Sequence, residues 1–301
     1  MRSAKYVGVG LVVVSAAAFG ALGVLARVAY DEGAEPVAVL TFRFGLAAVC
    51  FIAVRSLRPS PRPSKRALTG LVAMGGCYLL QSLCYFTAVD HAPPGLVALL
   101  LYSYPAIVVA GAALFLGVRL TRTVVVACAV AVLGMMLVVG PSVGSGDAIG
   151  IVLGFAAAIV YAVYILVGSR VLEAADALWA STVIMSTAAI GYLAVFTVLT
   201  ATGNQPALPD SARGWWAIVA LALLCTVVAG LAFLAGLARV GPADASTIST
   251  VEPVVSVLLS AAVTGEAITG WTVAGGALVL GSVVALSRER TAPLAEPAPP
   301  A

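Results

Sequence analysis

The stretch Ser246-Thr247-Ile248-Ser249-Thr250-Val251-Glu252-Pro253-Val254-Val255 sets a carboxylate and a proline near the middle of an otherwise apolar, small-residue segment. What Glu252 means depends on the solvent around it, and the rest of the chain decides that solvent. Of 301 residues, 62% are hydrophobic and 10% charged, with a mean hydropathy of +1.10. Soluble domains run at roughly 45–50% apolar and about 25% charged. No polar segment is long enough to form an independent soluble unit, so the bilayer is the medium in which this chain folds.

A bilayer core takes about 20 apolar residues per helix. Polar and Gly/Pro breaks divide the chain into ten such segments, approximately 6–30, 36–54, 67–89, 94–117, 123–140, 149–168, 178–200, 214–237, 243–263 and 271–287. The breaks Asp31-Glu32-Gly33, Asp90-His91-Ala92-Pro93 and Gly144-Ser145-Gly146-Asp147 are turn-like. The first apolar stretch, Tyr6 to Tyr30, is longer than the ~7–15-residue core of a signal peptide and reads as a retained span. With the N-terminus inside, thirteen of the 16 Lys and Arg residues fall in inner gaps. Short loops rich in these residues stay cytoplasmic, which predicts a multi-pass protein of a cell membrane with both termini cytoplasmic. Residues 291–301, rich in Pro and Ala, are expected to form a disordered tail.

Several function classes fall away. The net charge is only +3 and its basic residues sit in short gaps, so no nucleic-acid surface is expected. Cys50, Cys77, Cys84, Cys128 and Cys225 all lie in apolar runs without C-x-x-C spacing and read as packing residues. His91 is the single histidine, leaving no His-rich metal cluster. There is no G-x-x-x-x-G-K-[ST] loop for ATP, and no cofactor is implied. An integral-membrane enzyme, such as an acyl or isoprenyl transferase, would need a clustered Asp-rich, His or Cys/Ser set at an interface, and the short loops carry none.

The opening stretch has a counterpart. A shift of 148 residues lays Tyr85–Gly117 on Phe233–Gly265 and superimposes Pro94 on Pro242, Pro105 on Pro253 and Gly117 on Gly265. A shift of 140 lays Gly10 on Gly150 and Ala16-Ala17-Ala18 on Ala156-Ala157-Ala158, the difference being absorbed by the long loop Ala201–Arg213. Two halves follow, 1–140 and 141–290. Each has five spans, and an odd count makes the second half enter the membrane from the opposite side. The predicted fold is an all-α integral membrane protein with ten transmembrane helices arranged as two inverted five-helix repeats. That architecture recurs in secondary transporters that hold substrate near the midplane.

The chain resembles the ten-span EamA-type branch of the drug/metabolite transporter superfamily. The likeness is carried by the five-plus-five repeat, Thr41-Phe42-Arg43-Phe44, Tyr85-Phe86-Thr87-Ala88-Val89, the Pro105 and Pro253 pair, and Gly265-Glu266. The first half departs from the pattern, with Gly117-Val118 where a Gly-Glu would be typical. The resemblance implies a metabolite carrier, often an exporter of amino acids or related small molecules.

Glu252 is the first candidate for the site, because a charge at a helix centre costs about 2.5–3.5 kcal/mol on insertion scales and faces a cavity or partner. At helical spacing Ser249, Glu252, Ser256 and Ser260 form one interior-facing stripe, whose serines also suit close helix packing. Glu252 is expected to take a substrate amine or a coupling proton. Arg43 stays charged and either pairs with a carboxylate or captures a substrate carboxylate. Gln81 and Tyr85, with Cys77, share one side of span three; Tyr161 and Tyr164 share one side of span six; Tyr104 stands at the repeat position of Glu252. Tyrosines with polar tips suit an amphipathic pocket, and Tyr85 and Tyr102 also suit interfacial anchoring. Two transport readings remain: a carrier for small amphipathic metabolites such as amino acids, working as a monomer or homodimer, or an efflux pump for lipophilic cations and drugs.

Overall fold

A computed structural model describes residues 2–58, 61–92, 97, 100–118, 120–139, 147–264 and 268–288, and every regular element among them is helical. Pro94, Gly265-Glu266 and the 291–301 tail lie outside the described residues. The helices are α1 (Arg2–Gly20), α2 (Leu22–Asp31), α3 (Pro36–Leu57), α4 (Lys65–His91), α5 (Tyr104–Leu116), α6 (Arg122–Val139), α7 (Ala148–Val171), α8 (Ala177–Ala201), α9 (Ala212–Ala222), α10 (Ala229–Val240), α11 (Pro242–Ile248), α12 (Val251–Thr264) and α13 (Gly270–Arg288). A π-helical segment, Leu223–Val228, joins α9 to α10. Among the described residues, six helical runs are long and apolar enough to cross a membrane: Lys5–Asp31, Pro36–Leu57, Lys65–Ala88, Ala148–Val171, Ala177–Ala201 and Ala212–Val240. Tyr104–Leu116, Arg122–Leu137 and Val273–Ala285 are shorter apolar helices. This is a multi-pass membrane protein.

The turn residues define the helix starts. Ser64, Asp147, Asp176 and Ser211 each accept a backbone N–H from three residues ahead, at 2.8–3.2 Å, as N-caps do. Pro36, Pro105 and Pro242 sit in first turns, where a missing N–H costs nothing.

Three of the expected spans are not continuous helices. Span one breaks at Ala21, between α1 and α2. At Gly20 an added Cβ would lie 2.9 Å from the Glu252 carbonyl oxygen, so glycine is needed where the chain bends against α12. Span four has its break at Tyr102-Ser103 and span nine at Ser249-Thr250, in each case just ahead of the proline. A proline with no N–H to give fits the first turn of a restarted helix better than a helix interior.

The main packing partners are α4 with α7 and α8, α6 with α13, α1 with α10, and α3 with α8. At the N-terminal end of the bundle α1 and α10 touch through glycines. An added Cβ on Gly236 would meet Val12 Cγ2 at 2.5 Å, and one on Gly8 would meet Arg239 Cβ at 2.8 Å. Lys5 Nζ pairs with Asp244 Oδ2 at 3.5 Å across the same junction, both side chains largely buried. At the opposite end Glu32 accepts from Ser211 Oγ at 2.5 Å and pairs with Arg213 at 3.5 Å. There Asp147 accepts from Gly150 N and lies 3.2 Å from His91 Nδ1; the Gly150 N–H first, then His91, hold its carboxyl below the usual range.

Close approach is also what joins α6 to α13: a Cβ on Gly134 would lie 2.7 Å from the Gly275 carbonyl oxygen, a backbone atom that cannot rotate away. Gly134→Val is therefore expected to destabilise the protein by about 1–3 kcal/mol. Gly10→Ala, which faces open space, should leave the melting temperature unchanged in the same assay.

Candidate functional site

A cavity of about 210 Å³ lies between the two halves of the chain, lined by Glu252, Arg43, Gln81, Tyr85, Tyr104, Tyr161 and Ser256, with Tyr78, Ser82 and Tyr102 among its other polar residues. Its walls come from the middle of the helices and from their halves nearer the His91 end. The close α1–α10 contact described above lies toward the N-terminal end of the bundle.

Arg43 is only 4% exposed. Its Nε donates to Thr226 Oγ1 at 2.7 Å and an Nη donates to the Cys225 carbonyl at 3.4 Å, both in the π-helical segment. Thr226 Oγ1 in turn donates to the Leu221 carbonyl at 2.9 Å. The guanidinium carbon lies 5.0 Å from the Phe44 ring centroid, and Tyr78 adjoins the guanidinium. π-bulges recur at functional sites, and this one supplies the acceptors that hold Arg43 at the cavity wall. Part of the guanidinium fork remains for the cavity, since five N–H donors are present.

Glu252, in the first turn of α12, is partly exposed to the cavity. The Tyr102 hydroxyl and the Arg43 guanidinium both lie near enough to its carboxylate to act on it. Among the described residues no ion pair within 4.0 Å joins Arg43 to Glu252. The cavity thus holds a guanidinium and a carboxyl group that are not paired with each other.

Beneath them runs a chain of rings. Tyr104 meets Tyr161 edge-on at 4.7 Å, Tyr161 stacks on Tyr164 at 5.8 Å, Tyr164 lies 5.6 Å from Tyr78, and Tyr78 meets Phe44 at 5.6 Å. Tyr164 is in this second layer, behind the cavity. The Tyr104 hydroxyl is buried, points toward Ser249 and has no partner in hydrogen-bonding geometry.

The continuous stripe expected through Ser249, Glu252, Ser256 and Ser260 is interrupted, because the helix breaks before Glu252. Glu252 and Ser256 face the cavity. Ser249 does not line it: its Oγ donates to the Ala245 carbonyl at 2.9 Å. The Ser260 side chain lies outside the described residues. Sequence reasoning missed Tyr78 and Ser82 and left Tyr102 as a possible anchor. The signal was present: Tyr78, Ser82 and Tyr85 recur at helical spacing, one step round from the Cys77–Gln81–Tyr85 line.

A sequence model of the EamA-like transporter family matches residues 6–140 and again residues 148–288. The chain belongs to the EamA-like transporter family. Among its relatives, the uncharacterized transporter YcbK of Bacillus subtilis is 26% identical over 262 residues, covering 82% of each chain. The pseudopaline exporter CntI of Pseudomonas aeruginosa is 28% identical over 241 residues, covering 75% of this chain and 78% of the relative. A solved crystal structure superposes with a TM-score of 0.76 at 22% identity, covering 94% of this chain and 96% of that one; it speaks to the fold alone.

Proposed function

We propose that the protein is a secondary carrier that moves small amphipathic metabolites such as amino acids outward across the cell membrane by alternating access. It is a transporter and not an enzyme in this reading. The two halves, 1–140 and 141–290, form inverted repeats, with both termini cytoplasmic and the cavity in an outward-facing state. The packing supports this arrangement. Replacing each span by the one five further on turns the α4–α7 contact into the contact between α9 and α2, and maps α6–α13 and α3–α8 onto themselves. The breaks before Pro105 and Pro253 fall at corresponding places.

One observation carries the reading: Arg43 and Glu252 face one cavity without pairing to each other. A zwitterion satisfies both, its carboxylate on Arg43 and its amine on Glu252, with tyrosine rings along the apolar part. A coupling proton on Glu252 would do the same when the cavity is empty, giving exchange driven by the proton gradient. A relative named as an exporter supports outward movement. The fixed cation Arg43 weighs against a lone lipophilic cation as substrate.

The test is a thermal-shift screen of purified protein against amino acids and lipophilic cations, followed by counterflow with each hit. Saturable counterflow of amino acids, uninhibited by the cations, supports the proposal; counterflow of the cations alone overturns it. Within the site, Tyr104→Phe removes a hydroxyl that has no protein partner. Because that hydroxyl is buried and turned toward Ser249, off the cavity, the variant should hold or raise the melting temperature and leave apparent substrate affinity within about twofold.

A further inference from the structure

Away from the central cavity, α5 is the second part of the broken fourth span, and its end at Leu116 stands level with the last turn of α7, where Arg170 reaches the Leu116 carbonyl. The helix stops at Gly117, whose φ of +65° turns the chain out of the helix. A groove of about 930 Å³ is left where α5 ends, between the start of α4 and the end of α7.

The groove has an apolar wall and a charged rim. Phe115, Val163, Leu166 and Val167 line its depth, and Phe115 is 79% exposed. At the rim stand Arg66, in the first turn of α4, and Arg170, in the last turn of α7. Arg170 Nη2 donates to the Leu116 carbonyl at 3.3 Å, which caps α5 and leans the guanidinium over the groove mouth. Glu173 is the one carboxylate among the lining residues, set against these two arginines and the neighbouring Lys65. An apolar slot topped by cations, at the end of the bundle where the basic residues gather, matches an acyl chain below a negatively charged headgroup.

We propose that this groove is a binding site for one anionic phospholipid, with its phosphate held between Arg66 and Arg170 and an acyl chain lying against Phe115 and Val163. The lipid fills the gap left between α4, α5 and α7.

The test measures lipid retained by the full-length protein, by native mass spectrometry after extraction from vesicles of phosphatidylcholine alone or mixed with phosphatidylglycerol or phosphatidylethanolamine. The expected result is selective retention of one phosphatidylglycerol, reduced about tenfold or more in Arg66→Gln/Arg170→Gln. The melting temperature in phosphatidylcholine should be unchanged. Arg66→Gln alone, at an exposed helix start, should give an intermediate loss and keeps the test open if the double variant folds poorly. Arg239→Gln alters a cation at the same end of the bundle but outside the groove, its side chain bonding to the Ala235 carbonyl; it should retain the lipid fully. Equal retention of phosphatidylethanolamine, undiminished phosphatidylglycerol in the arginine variants, or an equal loss in Arg239→Gln would each overturn the proposal.

Discussion

Replacing Glu252 by glutamine is expected to reduce solute counterflow in sealed proteoliposomes to the level of protein-free vesicles, with the purified protein still folded. Glutamine keeps the shape. What it removes is the charge, which costs about 2.5–3.5 kcal/mol at a helix centre and has no ion-pair partner within 4.0 Å among the described residues. Stability should therefore hold or rise while function is lost, the opposite of a structural role. Because the same carboxylate is the proposed proton site, any residual exchange should lose its pH dependence. Unaltered transport with an unaltered pH profile would remove Glu252 from the mechanism.

The second large effect concerns the end of the bundle where α1 meets α10. Gly8 and Arg239 face each other so closely that an added Cβ on Gly8 would be 2.8 Å from the Arg239 Cβ, near the ~3.5–4.5 Å Cβ separation of a disulfide. In a background with the five native cysteines replaced, Gly8→Cys/Arg239→Cys should form a cross-link under mild oxidation. With α1 and α10 tied together, the N-terminal end cannot open, and counterflow should fall to background and return on reduction. Cross-linked protein that transports at the full rate would mean that the solute path does not pass between these helices.

Hydropathy and the positions of the charged residues made the membrane class legible, and Pro105 and Pro253 suggested the proposed repeat, because a proline leaves a mark on the chain that apolar substitution does not blur. Arg43 and Glu252 stood out for the same reason: charge inside an apolar run is rare and costly. The break at Ala21 was not legible, since Gly20 matters through its approach to the Glu252 carbonyl, a contact between residues more than two hundred positions apart. The π-helical segment was hidden likewise, because Leu223–Val228 has the composition of any apolar helix and declares itself only through Thr226 and Arg43. Ser249 was placed on the stripe by assuming one continuous helix, and the restart before Pro253 turned it away.

The central claim is that one cavity, holding Glu252 and Arg43, is opened alternately to the two sides of the membrane. The most direct measurement is the reactivity of Ser256→Cys, in the background without native cysteines, toward a membrane-impermeant thiol reagent applied to one face or the other of sealed vesicles. Labelling from both faces, slowed by a transported solute, is the predicted result. Labelling from a single face under all conditions, or none from either, would contradict the account.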